Sequence, residues 1–528
     1  MKDVDLALDL QAEIEALKSE NAQLKALIKY YEEQFRLSQQ RRFGASSEKN
    51  AITPGQILLF DEAEVYSDVT APEPELVEVE KHYRRASRTV DRLPEDLPVE
   101  TIHHELPEEE RICPECGEPL HVMSQDTRRE LVIIPAQVQV REHVRDIYAC
   151  RNCEKNNDHT PIVKAEMPEP VIKGGFASPE AVAHIAEQKF VMGVPLYRQE
   201  QDFQRDGILL SRQTMSGWLI RCTEDWLTPL YERMKIHLLE REVLHGDETT
   251  LQVLHEPGKT AQSKSYMWMY RTSGDAERPI VLYEYQPDRR MIRPAEFLKG
   301  FSGYLHADGY EGYHSLPDSI TVVGCWAHAR RKFVEALKAL PVKDREVSLA
   351  QIGKRYCDKL FEWERKFTKL PPEERRQQRL IYSKPLMEEL FAWADSLHAV
   401  PLSGIGKATH YVLTQRKYLE RYLLDGRLEI SNNRAERSIK PFVIGRKNWL
   451  FANTTKGAQS SAVLYSVIET AKENGLNPFA YLTFLFRALP NRGNAPVDGF
   501  LPGGRQIPET CYCPGRKPDG PEYPWDED

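Results

Sequence analysis

Apolar residues recur with a heptad rhythm near the N-terminus. Leu10, Ile14, Leu17, Asn21, Leu24, Ile28, Tyr31 and Phe35 follow one another by alternating steps of four and three. This spacing predicts a coiled coil over residues 1–45, with Ile14, Asn21, Ile28 and Phe35 at a and Leu10, Leu17, Leu24 and Tyr31 at d. β-branched residues at a with Leu at d favour a parallel pair, and one Asn at a fixes the register. The expected partner is a second copy, in a homodimer or higher oligomer. A lone amphipathic helix packed on its own domain gives the same spacing.

The rhythm then changes several times. Residues 46–95 are polar, and Asp61, Glu62, Glu64, Asp68, Glu73, Glu75, Glu78 and Glu80 make them an acidic linker that repels itself. Residues 96–170 contain strand-like LVIIPAQVQV and HVRDIYAC between two pairs of cysteines. Residues 171–240 read as three helical stretches, with Ser178-Pro179 opening the first and Ser211 capping the third. The Arg212-Gln213 start of that third helix suggests a helix-turn-helix that reads DNA, although a plain helical connector fits equally. From 241 the strands REVLHGD, SYMWMYRT, IVLYEYQ, GYLHAD and ITVVGCWA predict an α/β domain over 241–457, with a polar helical insertion at 341–425. Apolar helices return over 458–489. The segment 490–528, with eight prolines and six glycines, reads as a disordered tail. The fold class is thus multidomain α+β.

Composition narrows the function. The chain has 528 residues, enough for three or four domains at about 150 residues each; 41% are hydrophobic and 29% charged. Its longest apolar runs fall short of a membrane span, and its start is acidic and helical rather than a secretory signal. Nine cysteines without an export signal imply a cytoplasmic, reducing setting, where paired cysteines more often bind metal than form disulfides. Cys113-Pro-Glu-Cys116 and Cys150-Arg-Asn-Cys153 are two such pairs. Two knuckles supply four thiolates to one tetrahedral Zn²⁺, leaving no open position, so this zinc is structural. The 33 residues between them exceed the usual gap, and a ribbon with a knuckle at each end of a hairpin accommodates it.

Three acids stand in suggestive contexts. Asp247 closes EVLHGD, Asp308 closes GYLHAD, and Glu436 lies in SNNRAER, where Ser431 or Asn432 can cap a new helix. Two strand-borne aspartates and a helix-borne glutamate can hold two Mg²⁺ (or Mn²⁺) ions for phosphodiester chemistry. With 80 acids in the chain, that pattern alone means little. Its surroundings add weight. The net charge is −9, yet Arg434, Arg437, Lys440, Arg446, Lys447 and Lys456 face only Glu436 between 434 and 456, with Trp449 and Phe451 interleaved. Such a stretch suits a DNA backbone; a solvated basic face is the plainer reading. His328 in CWAHARRKF either lines the site or serves as a core or capping residue.

The text RRFGASSEK, CPECG, YACRNC, PLYRQEQDFQRDGILLSRQTMSGW, HGDETTLQVL, HADGYEGYHSL, GCWAHARRKF and SNNRAERSIKPFVIGRKNWLF resembles transposases of the insertion sequence 66 family along nearly the whole chain. The resemblance implies an RNase H-like catalytic domain of the DDE type, with Asp247, Asp308 and Glu436 as its acids. It also implies an N-terminal coiled coil, a zinc-binding segment and C-terminal helices. The expected activity is metal-dependent cleavage at the element's ends and joining of the 3′-hydroxyl to target DNA, in a nucleoid-associated protein assisted by companion proteins of the same element. A catalytically inactive DNA-binding protein and a nuclease that cuts without joining are the alternatives. Many DDE enzymes carry a Lys seven residues after the Glu, but Val443 stands there. Lys440 and Lys447 share the face of Glu436, and Pro441 is expected to kink the helix between them.

Overall fold

The computed structural model describes residues 138–149 and 162–515. The expected coiled coil, the acidic linker, the four paired cysteines and residues 516–528 lie outside the described residues. The chain divides into two units. In the smaller, β1 (Ile147–Ala149) pairs antiparallel with β2 (Ile162–Lys164), Tyr148 opposite Val163. In sequence, Cys150 follows β1 directly.

The larger unit opens with helices. In α1 (Pro179–Phe190) the Ser178 hydroxyl accepts from Ala181 N at 3.0 Å and Pro179 stands at N1. After α2 (Leu196–Arg205), Ser211 caps α3 (Arg212–Cys222) by accepting from Thr214 N at 3.2 Å. A π-helical turn, Thr223–Leu227, carries the chain into α4 (Thr228–Leu239).

A mixed sheet forms the centre, in the order β5 (Val281–Gln286), β4 (Lys264–Thr272), β3 (Val243–His255), β6 (Gly303–His306), β7 (Ile320–Val323). β3 is antiparallel to β4 and parallel to β6. Met267, Trp268, Met269 and Tyr270 are buried in succession along β4, which is why it reads as an unbroken apolar run. The outer strand β5 is closed off by a helix: Ser466 and Thr470 accept from Tyr283 N at 2.7 Å and Val281 N at 3.0 Å. An edge that would otherwise template another strand is thereby satisfied. Short helices α5 (Ile292–Phe297) and α6 (Glu311–His314) flank β6, and α7 (Trp326–Lys338) follows β7.

The expected insertion is helical: α8 (Val342–Arg345), α9 (Leu349–Phe367), α10 (Pro372–Gln378), α11 (Lys384–Ser396), α12 (Gly404–Thr414) and α13 (Arg416–Leu419). Its core of Cys357, Leu360, Leu390, Phe391 and Val412 closes over Trp326 and Phe333 of α7. Fully buried Arg379 pairs with Glu364 and donates to the carbonyls of Tyr422, Asp425 and Leu428 at 2.8–3.0 Å. This anchors the chain just before α14 (Asn433–Trp449). α14 continues through Pro441 as one helix and ends at Leu450, whose φ of 65° turns the chain into β8 (Ala452–Thr454), paired with the far half of β3. α15 (Thr455–Glu473) and α16 (Pro478–Ala488) complete the helices.

The expectation of a disordered tail is overturned over its described part. Residues 490–515 are folded, not disordered: Phe500, Leu501, Ile507 and Cys511 are buried, Tyr481 donates to Phe500 O at 2.7 Å, and Asp498 pairs with Arg233 and His237. Proline and glycine exclude long helices and strands, but they do not prevent four apolar side chains from docking on α4 and α16.

Candidate active site

The parallel pairing of β3 with β6 sets the geometry. His245 is opposite His306, and two residues farther along each chain stand Asp247 and Asp308. Asp247 does not end its strand, as expected, but is the fifth of thirteen residues in β3; Asp308 lies just past the end of β6. Asp247 accepts from Glu248 N and Asp308 from Tyr310 N, each at 2.9 Å, so neighbouring backbone N–H groups orient both carboxylates. At Gly309 a Cβ would stand about 3 Å from Tyr411 and Gln415, so glycine there lets the insertion pack against the Asp308 loop.

Glu436 is in the first turn of α14, the helix packed on β3. It accepts from Arg331 Nη2 at 3.1 Å, and His328 Nε2 lies 3.6 Å away. The three acids act on one another. Burial first, then the charges of Glu248, Asp308 and Glu436, hold the Asp247 carboxyl well above the usual range. A buried carboxylate repelled by three others is stabilised by a cation. Its hard oxygen donors, with those of Asp308 and Glu436, suit Mg²⁺ or Mn²⁺.

A buried polar network joins the three acid-bearing elements. Asn432 begins α14, but its side chain does not cap the helix. It donates from Nδ2 to Gly246 O at 2.8 Å, and its Oδ1 lies 2.9 Å from His245 Nδ1. Its backbone N donates to Cys325 Sγ at 3.1 Å. The His245 ring stacks on that of His306 at 4.4 Å, and His306 Nε2 accepts from Glu429 N at 3.2 Å. Burial lowers both imidazoles, His245 to about 3, so both are neutral.

On the other face of β3 lies an acid that the sequence reading passed over. Glu248, adjacent to Asp247, accepts from Arg289 Nε and Tyr313 OH, each at 2.7 Å. Burial and then the charge of Asp308 raise it to about 7, with Arg289 acting in the opposite direction. Arg289, Arg331 and Tyr313 were not foreseen either, and Asn432 was expected only as a helix cap. For Glu248, Asn432, Tyr313 and Arg331 the signal was their position inside HGDETT, SNNRAER, HADGYEGYHSL and GCWAHARRKF; nothing local marked Arg289.

The basic residues separate into classes. Arg446 is tied inward, donating to Thr250 O and to the hydroxyls of Thr249 and Thr250. Arg434 pairs with Glu429 at 2.6 Å. Arg437 and Lys447 are exposed and Lys440 half-buried. Trp449 packs edge-on to Phe442 at 5.5 Å. Arg212 and Gln213 are exposed at the start of α3, with Arg212 over the Tyr197 ring at 5.6 Å. His328 is buried by surrounding groups and lowered to about 4, and burial pushes the Cys325 thiol up to about 12.

Comparison with known families identifies the chain's relatives. The family model "Transposase IS66 family" matches residues 174–460 and "IS66 C-terminal element" residues 466–502. "Zinc-finger binding domain of transposase IS66" matches 110–154, which takes in all four paired cysteines and supports a structural zinc. "Transposase C of IS166 homeodomain" matches 30–102, which includes the whole stretch read as a spacer. Among curated proteins, uncharacterized protein y4jD of Sinorhizobium fredii (strain NBRC 101917 / NGR234) is 32% identical over 412 residues, 75% of this chain and 78% of its own. Uncharacterized protein y4hP of the same strain is 33% identical over 407 residues, 74% and 72% respectively. Among the described residues no helix is long and apolar enough to cross a membrane.

Proposed function

Since the chain belongs to the IS66 family of transposases, whose domains imply DNA binding, we propose that it is a DDE transposase that cuts at the ends of its element and joins the 3′-hydroxyl to target DNA. The observation that carries this reading is the convergence of Asp247, Asp308 and Glu436 from two adjacent parallel strands and the helix packed on them. The strand order, with three antiparallel strands followed by two parallel ones and an acid on the central strand, supports an RNase H-like fold. Asp247, Asp308 and Glu436 would hold the divalent ions. When bound, Mg²⁺ or Mn²⁺ supplies positive charge to the attacking and leaving oxygens of an in-line displacement.

The protein's own groups then have distinct tasks. The Asn432 network keeps the three carboxylates in register. Arg331 holds Glu436 until a cation competes for it. Arg437, Lys440 and Lys447, on the helix of Glu436, bind phosphates and so position the backbone without reading sequence. Arg212 and Gln213 are the candidates for reading the element's ends. Water attacks first and frees a 3′-hydroxyl, which then attacks target DNA; the number of phosphodiester bonds is conserved in the second step.

The test is incubation of the full chain with Mg²⁺ and DNA carrying the element's ends beside a target plasmid. Joined product is expected. Nicks without joining identify a nuclease, and binding without nicks an inactive relative.

A further inference from the structure

We infer that Cys325, His328 and Glu436 form a second cation site, selective for a thiophilic ion of the Zn²⁺ class. Cys325 immediately precedes α7 and His328 lies in its first turn, so a Cys-x-x-His spacing brings both side chains to one end of the helix. The sulfur, an imidazole nitrogen and a Glu436 oxygen all lie within 4.8 Å of one another, a grouping of three donors found nowhere else among the described residues.

The surroundings of each donor fit. Backbone N–H groups of Asn432, Ala327 and His328 converge on the Cys325 sulfur, Asn432 N at 3.1 Å. Such donors stabilise a metal-bound thiolate and hold it in place, as outer contacts do in metal knuckles. His328 Nδ1 is buried without a hydrogen-bond partner among the described residues, and Nε2 faces Glu436. A mixed sulfur, nitrogen and oxygen set selects Zn²⁺ over Mg²⁺, which prefers oxygen alone. Binding breaks the Cys325 S–H bond, forms a sulfur–metal bond and releases one proton to solvent, without redox change. Three protein ligands leave a fourth position open.

This site goes beyond the proposed transposition chemistry but shares Glu436 with it. An ion held by Cys325 and His328 draws Glu436 away from Asp247 and Asp308. Zinc occupancy here therefore competes with loading of the oxygen site.

The test is zinc content, which needs no catalysis. Full-length protein is stripped with chelator, reloaded with Zn²⁺, desalted and measured by elemental analysis. About two ions per chain are expected for the wild type, one at the four paired cysteines and one here. Cys325→Ser and His328→Asn should each lose about one, with metal-free melting temperatures close to wild type. Cys113→Ser with Cys150→Ser should lose the other, and adding His328→Asn to that pair should remove the remainder. His328→Asn alters a ring about one-fifth exposed whose Nδ1 has no hydrogen-bond partner among the described residues, so folding does not confound it. Undiminished zinc in His328→Asn, or zinc that only the Cys113 and Cys150 changes reduce, overturns the inference. DNA nicking in Mg²⁺ by wild-type protein that has not been reloaded with Zn²⁺ separately tests the transposase reading.

Discussion

Replacing Asp247 with Asn should move stability and activity in opposite directions. The carboxyl sits among Glu248, Asp308 and Glu436, and burial together with these charges disfavours its ionised form. Two like charges roughly 4–8 Å apart repel by about 2–4 kcal/mol at an effective dielectric constant of about 20. Asn keeps the shape, and its carbonyl can still accept from Glu248 N. Allowing for imperfect amide solvation, Asp247→Asn should stabilise the metal-free protein by about 1–2 kcal/mol, or a few degrees in Tm. The sign with pH follows from a raised carboxyl. Wild-type stability is full below the unfolded value near 3.8 and is lost as pH rises toward the elevated folded value, so the gain should be present at pH 8 and vanish near pH 4. Mg²⁺ should reverse the order. At a hundredfold excess over Kd it stabilises the wild type by about 2.7 kcal/mol, and the variant much less. Cleavage should fall by about a thousandfold, the equivalent of roughly 4 kcal/mol of lost charge stabilisation in the transition state. Differential scanning fluorimetry in EDTA and in Mg²⁺, at pH 4 and 8, beside a nicking assay, measures all of this. A variant less stable than wild type in EDTA at pH 8, or one that keeps the full Mg²⁺ shift, would refute the reasoning.

Asn432→Ala removes two side-chain hydrogen bonds and leaves Gly246 O and His245 unpartnered in a buried place. A loss of about 2–5 kcal/mol, a raised Mg²⁺ requirement and slower cleavage are expected; a Tm within a degree of wild type would contradict the network's role. Arg446→Ala should act on stability, since Arg446 is bound to Thr249 and Thr250. Arg437→Ala with Lys447→Ala should instead weaken binding to any DNA and flatten its salt dependence by up to roughly 0.9 in log–log slope per lost contact; affinity measured against salt on end DNA and random DNA separates the two. Deleting residues 1–40 should lower the mass seen by light scattering, and an unchanged mass would place self-association elsewhere.

The elements of the sheet domain were legible because their signals are local. β-branched and aromatic runs marked β3 to β7, Ser178 and Ser211 marked helix starts, and the density of Lys and Arg around Glu436 singled that acid out from the rest. Motifs such as HGDETTLQVL and SNNRAER then pointed to the family, whose model matches residues 174–460. What the chain could not reveal alone was which side chains meet. The sequence separates His245 from Asn432 by 187 residues, and only the packing of α14 on β3 makes them partners. Glu248 was passed over: alternation along a strand sends neighbours to opposite faces, and whether its face is wet or sealed by Tyr313 and Arg289 depends on distant segments. Arg446 looked like a phosphate ligand because charge is a local property, whereas its capture by the threonines of β3 is not. The segment 490–515 misled for the same reason: composition reports a poor tendency toward regular structure, but burial is decided by the surface that α4 and α16 offer it. Local propensity and pattern thus determined the elements, and long-range burial decided which polar groups face a site, which face each other and which are spent on holding the fold.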